Sequence, residues 1–264
     1  MIRFQNSANG QELYVTGDII DDLDGAMIQA WAPDFAENFQ WPADIKEQLD
    51  EMDHSKPLTV YINSPGGSVP AGVAISSMLS RWKAPVTCVV DGWACSIATQ
   101  IFFSGSIRKM PTNAYLMIHK PSCYMEGNAD DLRKQADTLD TIQKGLESSY
   151  LKAAKTLSAD DIHKMVNEET WLTGEEACDE FNIEPIAPVK TAAHWGKSVM
   201  NMLNIPKDIA VEPPKRDSPD NNDREKPEKE TVKKPSEETM MAIRQAVLNA
   251  DKALVKAAMR PQKG

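Results

Sequence analysis

Residues 58–82 read LTVYINSPGGSVPAGVAISSMLSRW, and the periodicity of this stretch changes once. Leu58–Asn63 is an apolar, β-branched run of the kind that forms a buried strand. It ends at Ser64–Ser68, where two glycines stand side by side. Beyond them Ala71, Ile75, Met78 and Trp82 recur at spacings of 4, 3 and 4, which is one face of a helix. Val86–Val90 reads as the next strand, broken at Asp91-Gly92, and Ala114–His119 as another. Parallel strands joined by a helix predict an α/β architecture.

Further along, Leu132, Ala136, Leu139, Ile142, Leu146 and Tyr150 form the apolar stripe of a helix expected from about Ala129 to about Leu157. Such a helix either projects from the core and serves assembly or lies across the core of its own domain. After Trp195 there is no aromatic residue, and six of the 17 prolines fall between Pro206 and Pro235. Three parts are therefore expected: a folded domain over residues 1–190, a charged, proline-rich disordered linker over 191–235, and an amphipathic helix over 236–260. Ser236 would cap that helix, and Met240, Ile243, Val247, Ala250 and Leu254 would line one side of it.

The formal net charge of −10 is uneven. Residues 1–190 hold 15 Lys/Arg against 28 Asp/Glu, whereas residues 191–264 hold 14 against 11. An acidic body without a basic aromatic stripe argues against nucleic-acid binding. No apolar run is long enough to span a membrane, and the start, MIRFQNSANG, has no secretory pattern, so a cytoplasmic protein is expected. Cys88, Cys95, Cys123 and Cys178 form no Cys-x-x-Cys pair and the four histidines are scattered, so neither a metal nor another cofactor is expected.

Three places carry residue types suited to acyl transfer. The glycines of Ser64–Ser68 let a substrate carbonyl approach backbone N–H groups, although a Gly-Gly pair is also simply a turn. In DGWACSIATQIF, Ser96 follows a strand and leads into an apolar helix, where it reads equally as a helix cap or a nucleophile. Ala94 and Ala98 exclude the Gly-x-Ser-x-Gly elbow of α/β-hydrolases. His119 closes a strand at the carboxyl edge of the expected sheet, either as a functional group or as a hydrogen-bonded histidine at the core margin.

Taken in order, YINSPGGSVPAGVAI, DGWACSIAT, LMIHKP and ETWLTGEEACDEFNI resemble the oxyanion-loop, nucleophile, histidine and acid segments of the Clp protease proteolytic subunit family. The resemblance spans roughly residues 12 to 186. It implies a crotonase-like (ClpP-type) β-β-α spiral with a protruding long helix, Ser96 as nucleophile and His119 as base. Gly67 and Ile97 would supply the oxyanion N–H groups. Glu169 stands where the family usually has Asp, two residues before an aromatic, with Glu168 as an adjacent competitor. The resemblance also implies protein or peptide substrates and a homo-oligomeric ring.

Residues 28–42 (IQAWAPDFAENFQWP), the Glu and the charged tail depart from the housekeeping subunits and look more like the phage and prophage branch, which cuts scaffold or capsid proteins in head maturation. The alternatives are a host subunit working with an ATPase unfoldase, and a non-proteolytic crotonase-fold acyl-CoA enzyme or shell component. Because an active chamber protease cuts extended chain most readily, loss of the terminal helix by self-cleavage within the linker is also expected.

Overall fold

The computed structural model describes residues 4–7 and 10–188. The linker and C-terminal helix expected from the sequence lie outside the described residues. In chain order the elements are β1 (Phe4–Ser7), β2 (Gly10–Thr16), β3 (Asp18–Ile19), α1 (Asp22–Trp31), a 3-10 turn (Pro33–Asn38), β4 (Phe39–Gln40) and α2 (Pro42–Asp50). They continue with β5 (Leu58–Ser64), α3 (Val69–Ser80), β6 (Val86–Cys95), α4 (Ala98–Phe103), β7 (Ile107–Pro111) and β8 (Tyr115–Ile118). The last are α5 (Ala129–Ala153), α6 (Ala159–Asn167), β9 (Thr170–Thr173), α7 (Gly174–Glu180) and β10 (Glu184–Ile186).

The sheet runs β1-β2-β5-β6-β7-β10, and β6 also pairs with β8, which pairs with β9. All pairings are parallel except β1 with β2 and β8 with β9. Strand β6 is the fork: Thr87–Val89 pair with β7, and Trp93–Cys95 pair with β8. The break expected at Asp91-Gly92 does not occur, because the strand bends there and continues to Cys95. Gly92 takes a positive φ of 145° against the Asn63 side chain, whose Oδ1 accepts the Trp93 N–H at 3.3 Å. A side chain thus replaces the ladder bond lost at the register shift between Ile62 and Ser64.

The main core is one cluster to which α2, α3, α4, the second half of α5, α6, α7 and the strands contribute, with Ile62, Ile75, Ile101, Phe102, Leu116 and Phe181 among its fully buried members. In α5 the buried residues are Gln143, Leu146, Tyr150 and Ala153, all in its C-terminal half, while Leu132 near its start is 47% exposed. The helix is nucleated by an Asn128–Asp131 capping box and projects from the body. It ends at Ala153 and not near Leu157, because Ala154 turns extended and forms a bridge with Phe181. Trp41, within the aromatic-rich segment 28–42, packs on Gly25, where an added Cβ would fall 2.3 Å from its ring. No helix among the described residues is long and apolar enough to cross a membrane.

Candidate active site

The parallel register of β6 and β8 brings Cys95 level with Met117. A straight continuation would leave Ser96 pointing to the face opposite His119, since side chains alternate along a strand. Instead Ser96 adopts φ 53°, a left-handed conformation that costs a non-glycine residue about 1–2 kcal/mol. Its N–H still donates to Met117 O at 2.9 Å, its carbonyl accepts the Thr99 N–H at 3.1 Å, and the side chain is turned toward β8. There Ser96 Oγ lies 2.8 Å from His119 Nε2.

The glycine turn packs directly on this corner. A Cβ at Gly66 would fall 2.7 Å from both Cys95 O and Ser96 Cβ, and 3.1 Å from Ile97 N. Only glycine permits that approach, and φ of 99° at Gly66 and 144° at Gly67 require it as well. Ser64 Oγ shapes the turn by donating to Gly17 O at 2.7 Å and accepting the Gly66 N–H at 3.1 Å. Gly67 lies across from Ile19 in a parallel bridge built from the Ile19 N–H to Gly66 O and the Ser68 N–H to Ile19 O. The N–H of Gly67 stays outside that ladder, at an exposed position.

His119 is half-buried, and burial lowers its pKa below the ordinary 6.5, while the charge of Glu169 acts in the opposite direction. Glu168 caps the end of α6 and is exposed. Glu169, itself at φ 53°, begins the turn into β9. Trp93, Cys95, Tyr115, Met117 and Trp171 form a second, smaller apolar cluster, with Trp171 edge-on to Trp93 at 5.2 Å. Strand alternation places this cluster on the face that carries His119 and Glu169. The structure therefore gathers Ser96, His119, Gly67 and Ile97 at one corner, with Glu169 in the electrostatic surroundings of the imidazole. Among the described residues no group of His, Cys, Asp or Glu is placed to hold a metal ion.

Two features of this corner were not singled out from the sequence. Gly66 was visible only as one half of a Gly-Gly turn, and its contact with Ser96 comes from segments 30 residues apart. Thr99, three residues after Ser96, donates through Oγ1 to Ser96 O at 2.5 Å, a local pattern that a helix start permits but does not require.

The chain has counterparts among known proteins. The Clp protease family model matches residues 44–186. The chain is 35% identical over 136 residues to ATP-dependent Clp protease proteolytic subunit 1 of Protochlamydia amoebophila (strain UWE25), covering 50% of this chain and 65% of the relative. It is 37% identical over 133 residues to the ATP-dependent Clp protease proteolytic subunit of Streptococcus pyogenes serotype M5 (strain Manfredo), covering 48% and 67%. The chain thus spans about two thirds of the length of these curated relatives. Among solved structures, a point mutant of ClpP1 from Listeria monocytogenes superposes with a TM-score of 0.53 at 23% identity, over 67% of this chain and 91% of that one, a likeness of fold. With the matched segment covering more than half of the chain and the sheet, glycine turn and projecting helix arranged as described, this chain belongs to the Clp protease family.

Proposed function

We propose that the chain is a serine endopeptidase in which Ser96 is the nucleophile, His119 the general base and Glu169 the acid that orients the imidazole. The observation that carries this is the 2.8 Å contact between Ser96 Oγ and His119 Nε2 at a strained turn packed on the glycine loop. In the proposed reaction Ser96 Oγ attacks the scissile carbonyl while His119 Nε2 takes its proton. The N–H groups of Gly67 and Ile97 receive the oxyanion. His119 then gives its proton to the leaving amine, and water, activated by the same imidazole, releases the acyl group. A lowered histidine pKa keeps the base neutral near pH 7. The extended substrate would lie beside the glycine loop, held by main-chain hydrogen bonds.

For the biological role we infer cleavage of scaffold or capsid proteins in phage head maturation, in a homo-oligomeric ring in the host cytoplasm or within proheads. The aromatic-rich segment 28–42, the Glu at the acid position and the long charged sequence after residue 190 support this reading. A second reading, a host subunit fed by an ATPase unfoldase, is favoured by relatives named as ATP-dependent. Hydrolysis of a short fluorogenic peptide, abolished in Ser96→Ala, tests the chemistry; an acyl-CoA enzyme or shell component would show none. Cleavage of a purified capsid or scaffold precursor without ATP supports the first role, and cleavage only with an added unfoldase and ATP supports the second.

A further inference from the structure

The Ser96 carbonyl accepts two bonds from Thr99, one from its N–H at 3.1 Å and one from its hydroxyl at 2.5 Å. A threonine hydroxyl has one proton, and here it is committed to that carbonyl. Tyr150 OH lies 2.8 Å from Thr99 Oγ1, so the phenol is the donor in that contact. Thr99 is fully buried and Tyr150 is 1% exposed, so water does not compete for either hydroxyl. Tyr150 stands in the last turn of α5 with its ring edge-on to Phe103 at 5.8 Å, and Gln100 Nε2 ties α4 to the same helix through Leu146 O at 3.4 Å.

The Ser96 carbonyl and the Ile97 N–H belong to one peptide unit, and in a trans peptide they point in opposite directions. Anchoring the carbonyl on the α5 side therefore aims the N–H the other way, toward the glycine turn, where the Cβ position of Gly66 is 3.1 Å from Ile97 N. Bonds in series also polarise one another, which strengthens the N–H as a donor. We propose that Tyr150 and Thr99 are positioning residues, a relay from α5 that sets the plane of the Ser96–Ile97 peptide and so both the nucleophile and the oxyanion donor. The proposal rests on the serine-protease reading above, and it makes α5 a structural support of the site as well as a projecting arm.

Tyr150→Phe and Thr99→Val each remove one hydroxyl while keeping volume and packing. Both should lower kcat roughly 5- to 20-fold with KM within about twofold, the size expected for one misdirected hydrogen bond. The double variant should be no worse than either single, and Thr99→Ser, which restores the hydroxyl, should rescue activity. A second readout is independent of turnover. With 13C-carbonyl serine and 15N-isoleucine, only the Ser96–Ile97 and Ser106–Ile107 peptides give coupled signals, so Ile107 serves as an internal control. The Ile97 nitrogen should shift in Tyr150→Phe and Thr99→Val while Ile107 stays in place. An unmoved Ile97 signal, or wild-type kcat accompanied only by a lower Tm, overturns the relay. Wild type that hydrolyses no peptide sinks the protease reading, and the Ile97 signal then decides the relay on its own.

Discussion

Ile118 pairs with Thr170 across the antiparallel β8 and β9, so the register, carried one residue outward, sets Glu169 opposite His119. Glu168 is one step out of that register and exposed. The imidazole responds to Glu169, which raises its pKa, but burial outweighs that and the net shift is below 6.5.

The neutral, proton-accepting imidazole therefore persists to lower pH than a free histidine allows, and the acid limb of kcat/KM should have its midpoint below 6.5. Glu169→Gln removes the opposing charge, so the limb should move further down while kcat falls on the order of 10²- to 10⁴-fold. Glu168→Gln should leave both near wild type. A pH–rate series on the three proteins checks this, and a larger effect from Glu168→Gln would transfer the acid role to that residue.

If the proposed pair acts as a unit, Ser96→Ala and His119→Ala should each reduce peptide hydrolysis on the order of 10⁴-fold or more, and the double variant should add little. Secondary structure by circular dichroism should be unchanged, since both side chains are only half-buried at the sheet edge. Two clearly active singles with a dead double would refute the pairing.

Gly67→Ala would place a Cβ 2.0 Å from Ile19 O at a φ of 144°. The expected outcome is a loss of about 1–3 kcal/mol of stability from backbone strain and steric overlap. Displacement of the Gly67 N–H should also lower kcat on the order of 10²-fold. Gly66→Ala should be at least as damaging to kcat, because its Cβ would push on Ser96 itself. Denaturant titration beside kinetics separates the two effects; unaltered kcat in either variant would remove the glycine turn from the site.

Of the four cysteines, Cys123 is exposed whereas Cys88, Cys95 and Cys178 are buried. Burial pushes the Cys88 thiol up to about 12, and raises Cys95 and Cys178 as well, so few thiolates form on them at pH 8. A chromogenic disulfide should titrate Cys123 quickly in the native protein and all four in denaturant. Fast labelling of Cys95 would mean that the corner before Ser96 opens in solution.

Local pattern was sufficient for β5, the glycine turn and α3, because hydrophobic period and turn chemistry are properties of neighbouring residues. The Glu168–Glu169 pair came only with the family resemblance, whereas local pattern also made Ser96 and His119 candidates. It did not decide among their alternatives, nor that β6 passes through Asp91-Gly92 without a break. That outcome depends on Asn63, which takes the Trp93 N–H from another strand. Likewise α5 stops early because Ala154 finds Phe181, more than 25 residues away. The left-handed turn at Ser96, its contact with Gly66 and its tie to Tyr150 arise only when three distant segments pack together. Which segments carry strands, turns and reactive side chains is legible in the chain alone, since those follow from residue identity, short-range sterics and amphipathic period. Which groups meet follows from the packed fold, because a contact between segments is set by sheet register and core packing, and neither is written in any one stretch of chain.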